Sequence, residues 1–185
     1  MTNRLTALIF ILLMTSAPLQ AADDIVGPMR AQWGATRNLV VNLADIIPEA
    51  KYDYKPTPAI RSFREQLTHL VWENFSYMGV VAGEPAPDRA KIEAMKSREE
   101  IMKALRESYA YGERTLANLT DEKAVEKIPF RGQSSVRWYP VLFNIQDSMD
   151  HYGTLVIYVR LNGLVPPRTA AAQAKAQAAP PKPAP

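Results

Sequence analysis

Apolar side chains recur at alternating spacings of three and four residues in four separate stretches of the chain. In the first stretch, this apolar face consists of Met29, Trp33, Thr36, Val40, Leu43 and Ile47. Such spacing is typical of an amphipathic helix that buries one face. Because proline disfavours helical geometry in the residue before it, the first helix should end before Pro48.

The second and third stretches also predict helices. The second helix should begin near Ile60 to Ser62, after the proline-rich crossing segment PEAKYDYKPTPAI, and should end near Gly83. Its apolar face consists of Phe63, Leu67, Leu70, Val71, Met78 and Val81. The third helix should begin at SREE, where Ser97 can cap the exposed amides while Glu100 reaches back. Its buried face consists of Ile101, Leu105, Ser108, Gly112, Leu116 and Leu119.

A fourth helix is predicted from about Pro140 to Asn162. Proline is tolerated in a first helical turn, and Gly163 is placed to end the helix before Pro166 and Pro167. The segment before it, LTDEKAVEKIPFRGQSSVRW (119–138), predicts a long irregular connection. Four amphipathic helices without convincing alternating strands predict an all-α fold, a four-helix bundle with long inter-helix connections.

The two ends of the chain differ in composition from the part between them. Residues 1–21 combine Arg4 with the apolar run LTALIFILLMTSAPL and the small residue Ala21, which is typical of a secretory signal peptide. This run is shorter than the ~20 residues of a spanning helix, so we expect no membrane span after signal removal. Residues 168–185, rich in Ala, Gln, Lys and Pro, predict a disordered tail. One domain should occupy residues 22–167.

The composition limits which kinds of reactive or metal-binding site the chain can form and which cellular compartments suit it. The chain of 185 residues has no cysteine, which excludes disulfides, a thiolate nucleophile and thiolate metal ligands. The formal net charge is +3, and the basic residues are scattered among acids, so nucleic-acid binding has little support. With the signal peptide, these features predict a periplasmic or secreted protein.

A polar stripe runs beside the apolar face of the fourth helix and consists of Asn144, Asp147, His151, Thr154 and Tyr158. Side chains four residues apart share a helix face, so Asp147 and His151 can converge on one ion. The candidate for a further ligand is His69 on the second helix, with Glu73 one turn later as a base or supporting acceptor. Two histidines and one carboxylate form a ligand set that leaves positions for water or substrate. A polar, hydrogen-bonded seam between helices explains the same spacing.

Two blocks of the sequence, YDYKPTPAIRSFREQLTHL (52–70) and DHYGTLVIYVRLNGLVPP (150–167), together resemble the DinB-like family of damage-inducible-type proteins. The resemblance implies a four-helix bundle, often dimeric, that holds a divalent metal, commonly nickel or zinc, through three histidines. The family positions fall on His69, Asp147 and His151. Asp147 stands where the family has histidine; aspartate can ligate zinc, iron or manganese through oxygen, and it shifts the metal preference toward harder ions.

Three classes of function remain open at this point, and one of them is an envelope scaffold in which the tail from Arg168 contacts a partner or the cell wall. Some family members are metal-dependent thiol transferases or thiol-dependent isomerases, so one hypothesis is an exported, divalent-metal-binding protein with hydrolase or transferase activity on a small molecule. The alternative is a non-catalytic bundle that binds a small ligand or a protein partner and has lost the metal site. The resemblance also implies a homodimer. In FRGQSSVRW, Arg131 and Arg137 can receive an anion, although a plain loop explains that segment equally well.

Overall fold

The structure is a computed structural model that describes residues 24–178, so the predicted signal peptide lies outside the described residues. Its elements in chain order are α1 (Val26–Asp45), a 3-10 turn (Glu49–Lys51), α2 (Phe63–Ala82), α3 (Arg89–Glu93), α4 (Arg98–Ala117), α5 (Asp121–Ala124), β1 (Lys127–Phe130), β2 (Gln133–Val136), α6 (Tyr139–Leu161) and α7 (Pro167–Ala178). Helices α1 and α2 each pack against both α4 and α6. The predicted all-α four-helix bundle is confirmed. Within the described residues, no helix is long and apolar enough to cross a membrane.

Local signals define both ends of α2, the helix that carries His69. Ser62 and Glu65 form a capping box: the Ser62 hydroxyl accepts from the Glu65 amide at 3.2 Å, and the Glu65 carboxylate accepts from the Ser62 amide at 2.6 Å. Gly83 ends the helix with φ at 78°, a conformation that glycine adopts without a Cβ clash. The cap fixes where the helix starts and therefore which residues share its faces.

The predicted cap of the third helix, α4, is present only in part. Ser97 accepts from the Glu100 amide at 3.2 Å, as expected. The Glu100 carboxylate instead accepts from the amide of Lys96, one residue before the cap, also at 3.2 Å. The helix still begins at Arg98, because the Ser97 side chain satisfies one of its exposed amides.

The connection before α6 is more regular than predicted. It contains the short helix α5 and an antiparallel hairpin in which Lys127 pairs with Val136 and Phe130 pairs with Gln133. Arg131 and Gly132 form the turn with φ of 50° and 80°. The expectation of an irregular loop without strands was wrong because strands of four residues are too short for alternation to be visible in the sequence.

The C-terminal segment also differs from the disordered tail predicted from its composition. Residues Pro167–Ala178 form α7, which has no buried side chain. Alanine has the highest helix propensity, and proline is favoured in a first turn, so local preference accounts for this helix. Residues 179–185 of the predicted tail lie outside the described residues.

The centre of the bundle is built around Trp33 of α1. Its ring is 1% exposed, and its Nε1 donates to the Tyr109 carbonyl at 3.0 Å. The Trp33 and Tyr109 rings lie 5.3 Å apart. Gly112 faces the same indole, since a Cβ at that position would lie only 2.1 Å from a ring carbon. Helices α1 and α4 therefore approach closely at this glycine.

Candidate metal centre

Three potential metal ligands from α2 and α6 lie together: the ligating atoms of His69, Glu73 and His151 are within 4.8 Å of one another. His69 Nε2 is 2.8 Å from Glu73 Oε1, and His151 Nε2 is 3.4 Å from Glu73 Oε2. Ligand atoms around a tetrahedral zinc ion lie about 3.3 Å apart, given zinc–nitrogen distances of about 2.0–2.1 Å. The spacing of these side chains is therefore suited to a divalent ion.

Gln66 determines how His151 faces this cluster. Its amide oxygen lies 2.7 Å from His151 Nδ1. Because an amide oxygen only accepts hydrogen bonds, Nδ1 must donate, and in a neutral ring the lone pair of Nε2 then faces Glu73. The sequence analysis missed Gln66. The available signal was its position three residues before His69, on the same side of α2.

Glu73 carries the negative charge of the cluster and is buried. Burial alone would raise its pKa, but the hydrogen-bonding groups of His151, His69 and Asp147 outweigh burial and lower the pKa to about 2. Within residues 24–178, Glu73 Oε2 makes no hydrogen bond of good geometry, since His151 Nε2 lies 3.4 Å away, and the buried His69 Nδ1 has no hydrogen-bond partner. A buried carboxylate oxygen without a well-formed hydrogen bond is costly, and a bound cation would compensate it. On this observation, the residues present fit a metal ion.

Asp147 lies beside Glu73 but outside the three-residue cluster. Its pKa is raised to about 6, first by burial and then by the hydrogen bond to Glu73 and the charge of Glu73, which together outweigh the lowering by the charges of His151 and His69. Asp147 as a metal ligand stays a prediction. Glu73, which the sequence suggested only as a base or supporting acceptor, places carboxylate oxygens within 3.4 Å of both histidines.

We expect Asp147→Asn to stabilise the metal-free protein at neutral pH. The folded-state pKa of Asp147 is raised, so its ionised form destabilises the fold above about pH 6, and this penalty disappears as the pH falls toward the ordinary value of 3.8. Because solvent screens this partly exposed group, the expected gain in the free energy of unfolding is about 1 kcal/mol. Urea unfolding of chelator-treated protein at pH 7.5 and pH 4 measures it. An equal gain at both pH values would contradict the raised pKa of Asp147.

The other members of the predicted polar stripe make structural contacts or are buried. Thr154 donates to the Asp150 carbonyl at 3.1 Å, and Tyr158 donates to the Arg61 carbonyl at 2.6 Å. Asn144 is fully buried, and its side-chain oxygen and nitrogen have no hydrogen-bond partner among residues 24–178. Thr154 and Tyr158 therefore have local partners outside the candidate metal cluster.

A layer of buried polar side chains crosses the bundle next to the candidate metal centre. It begins at Asn74, the residue after Glu73. Asn74 donates to Ser108 at 3.0 Å, and the Tyr109 hydroxyl donates to Ser148 at 3.5 Å. These contacts join α2 to α4 and α4 to α6. They fix the relative positions of the helices on which the candidate ligands lie.

Beyond Glu73, aromatic rings line the interface between α2 and α6. Tyr77, one turn after Glu73, packs edge-on against Phe143, which lies one turn before Asp147; their ring centroids are 5.3 Å apart. Phe130 of β1 lies 5.9 Å from Tyr77 and 5.7 Å from Phe143. A cleft of about 530 Å³ runs along α6 here and is lined by Phe143, Ile145, Gln146, Asp147, Met149 and Asp150. The candidate metal cluster thus lies next to a group of packed aromatic rings and next to an open cleft.

The model of the DinB superfamily matches residues 32–155. A DinB-like protein from Bacillus cereus superimposes with a TM-score of 0.67 at 14% identity, covering 75% of this chain and 93% of that one. A DinB-like protein from Bacillus subtilis has a TM-score of 0.63 at 19% identity, covering 75% and 93%.

A conserved protein from Enterococcus faecalis also shares the fold, with a TM-score of 0.63 at 15% identity, covering 76% of this chain and 98% of that one. No curated protein sequence matches the chain. The superfamily match includes His69, Glu73 and His151 and spans α2, α4 and most of α1 and α6. The chain belongs to the DinB superfamily.

Proposed function

We propose that this protein is an exported, divalent-metal-binding member of the DinB superfamily, and that His69, Glu73 and His151 hold the ion. One observation carries the proposal: the Nε2 atoms of two histidines face the two oxygens of one buried carboxylate, at 2.8 and 3.4 Å. The hydrogen bond from His151 to Gln66 supports it, because metal-binding histidines usually donate their other ring N–H to an acceptor. Two imidazoles and a carboxylate suit zinc, nickel, iron or manganese.

We further propose that the centre acts on a small molecule as a hydrolase or transferase. A divalent ion bound there supplies Lewis-acid chemistry and activates a nucleophile. Gln66 orients His151, and the carboxyl group of Asp147 can give or accept a proton beside the cluster. The rings of Tyr77 and Phe143 pack together at one end and can contact the apolar part of a substrate.

Export and self-association complete the proposal. Export rests on the signal-peptide pattern of residues 1–21, whose apolar run is followed by Ala21. Homodimerisation rests on the family resemblance. The size of the protein in solution after removal of the signal would test the dimer, and the N-terminal sequence of protein recovered from the bacterial envelope would test export.

Metal content tests the central claim. We expect the chain from residue 22 onward, purified without a histidine tag and dialysed against zinc, nickel or manganese, to retain about one ion per chain. His151→Ala should reduce this to background. Thr154→Ala is the matched control, because Thr154 lies on the same helix and donates only to the Asp150 carbonyl. A wild-type protein without metal would favour the alternative of a non-catalytic ligand-binding bundle.

A further inference from the structure

The tip of the β1–β2 hairpin carries an unusual residue for its backbone conformation. Arg131 has φ at 50° and is the only residue other than glycine with positive φ among residues 24–178. Left-handed geometry costs such residues about 1–2 kcal/mol, and tight hairpin turns favour Asn, Asp or Gly. Strained conformations of this kind cluster at ligand-binding sites, where the surroundings hold them in place.

The Arg131 side chain packs against the interface between α2 and α6, the two helices that carry the candidate metal centre. Its guanidinium carbon lies 4.9 Å from the centroid of the Phe143 ring. Phe143 is one turn before Asp147 and packs against Tyr77, which is one turn after Glu73. With a helical pitch of 5.4 Å, the guanidinium lies roughly 10 Å from the Glu73 carboxylate.

Arg131 lies beside the Tyr77 hydroxyl and has no acidic partner in the part of the chain that the structure describes. Among residues 24–178, no ion pair involves Arg131. The pKa of Tyr77 is raised by burial, by Glu73 and by Asp147, and the nearby Arg131 opposes this rise. The pKa of Tyr77 therefore responds both to the acidic groups of the metal centre and to Arg131, so these groups share one local environment.

A second arginine near the centre provides a contrast. The Arg89 guanidinium lies 4.6 Å from the Trp72 ring centroid, and Trp72 stacks on His69. Arg89 is paired with Glu93 at 2.7 Å, so its charge is neutralised locally. The two arginines therefore share the same cation–π geometry but differ in whether a carboxylate is already bound.

We propose that Arg131 is a specificity-determining residue of this centre and binds the carboxylate of a small organic anion whose other end reaches the metal ion. The inference rests on the proposed function, since it places the reacting group at the ion held by His69, Glu73 and His151. A guanidinium binds a carboxylate through two parallel hydrogen bonds. The rings of Tyr77 and Phe143 contact the apolar middle of the ligand.

Two matched probes test this proposal: the monohydroxamate of adipic acid and its neutral counterpart, in which the free carboxylate is an amide. The hydroxamate end coordinates zinc in both. We expect the zinc-loaded wild type to bind the acid about tenfold more tightly than the amide, measured by calorimetric titration. Arg131→Asn should bind both equally, with its affinity for the amide unchanged. Arg89→Gln, the matched control, should keep the tenfold preference.

Asn and Gly both accept positive φ, so the hairpin should form in Arg131→Asn and in Arg131→Gly, and the latter is the second test variant. Melting temperatures within about 3 °C of the wild type would verify folding. Equal binding of the two probes by the wild type, a preference that survives in both Arg131 variants, or no binding of either probe to zinc-loaded protein overturns the inference but leaves metal retention intact. A wild-type protein that retains neither zinc nor nickel nor manganese overturns the proposed function, and the inference with it.

Discussion

Replacing Glu73 with glutamine should weaken divalent-metal binding by at least about a hundredfold, and Asp147→Asn should weaken it by about tenfold. Glutamine keeps the shape of Glu73 but removes the charge that faces both histidines, at 2.8 and 3.4 Å. Asp147 adjoins Glu73 outside the cluster of ligating atoms. Loss of a partner that only supports a ligand typically costs 10- to 100-fold in affinity, and loss of a charged ligand costs more. Competition with a chromophoric chelator measures both dissociation constants.

The order of the two effects decides which carboxylate binds the ion. The family resemblance puts the third ligand at Asp147, whereas the structure brings the carboxylate of Glu73 between the two histidines. A larger loss in Asp147→Asn than in Glu73→Gln would assign the ion to Asp147 and give Glu73 the supporting role. Both substitutions preserve side-chain size, so a circular-dichroism spectrum like that of the wild type separates lost ligation from lost folding.

Gly112→Ala should lower the free energy of unfolding by about 2–3 kcal/mol, although alanine is the better helix former. The new Cβ would lie 2.1 Å from a carbon of the Trp33 ring. That ring cannot simply move aside, because its Nε1 donates to the Tyr109 carbonyl at 3.0 Å and its surroundings are fully packed. The cost of overpacking therefore exceeds the gain of about 1 kcal/mol in helix propensity. Urea unfolding measures the change.

Gly153→Ala is the matched control for this prediction. Gly153 also lies inside a long helix, but a Cβ at this position would have no neighbour within 4 Å. With no clash, the substitution should raise the free energy of unfolding by about 0.5–1 kcal/mol. If both substitutions stabilised the protein equally, the close approach of α1 and α4 at Gly112 would be wrong.

Much of the fold could be predicted because an amphipathic helix produces a periodic pattern of apolar residues that is visible in the sequence. The apolar faces recur over whole helices, and Pro48, Gly83 and Gly163 mark where backbone geometry must change. The hairpin was missed because each strand has four residues and one contains Pro129. Helix α7 was missed because a composition rich in alanine and proline suits both an exposed helix and an irregular tail.

The candidate site was predictable in part. His151 and Asp147 share a face because they are four residues apart on one helix, and His69 and Glu73 are related in the same way. His69 was paired with His151 because it is the other histidine of the chain, and the family resemblance supported the pairing, since periodicity does not say which helices are neighbours. The sequence placed Gln66 on the same side of α2 as His69, but it did not indicate that Gln66 would orient His151 or that Arg131 would lie over Phe143.

The sequence by itself determined four amphipathic helices, their approximate limits and the two pairs of metal-ligating residue types on α2 and α6. These features depend on contacts between residues three or four positions apart, which the sequence records directly. Only the tertiary structure decided that Glu73 lies between the histidines and that Asp147 stands beside it. That choice depends on how far α6 is rotated and shifted against α2, and side-chain packing across the whole bundle sets this geometry.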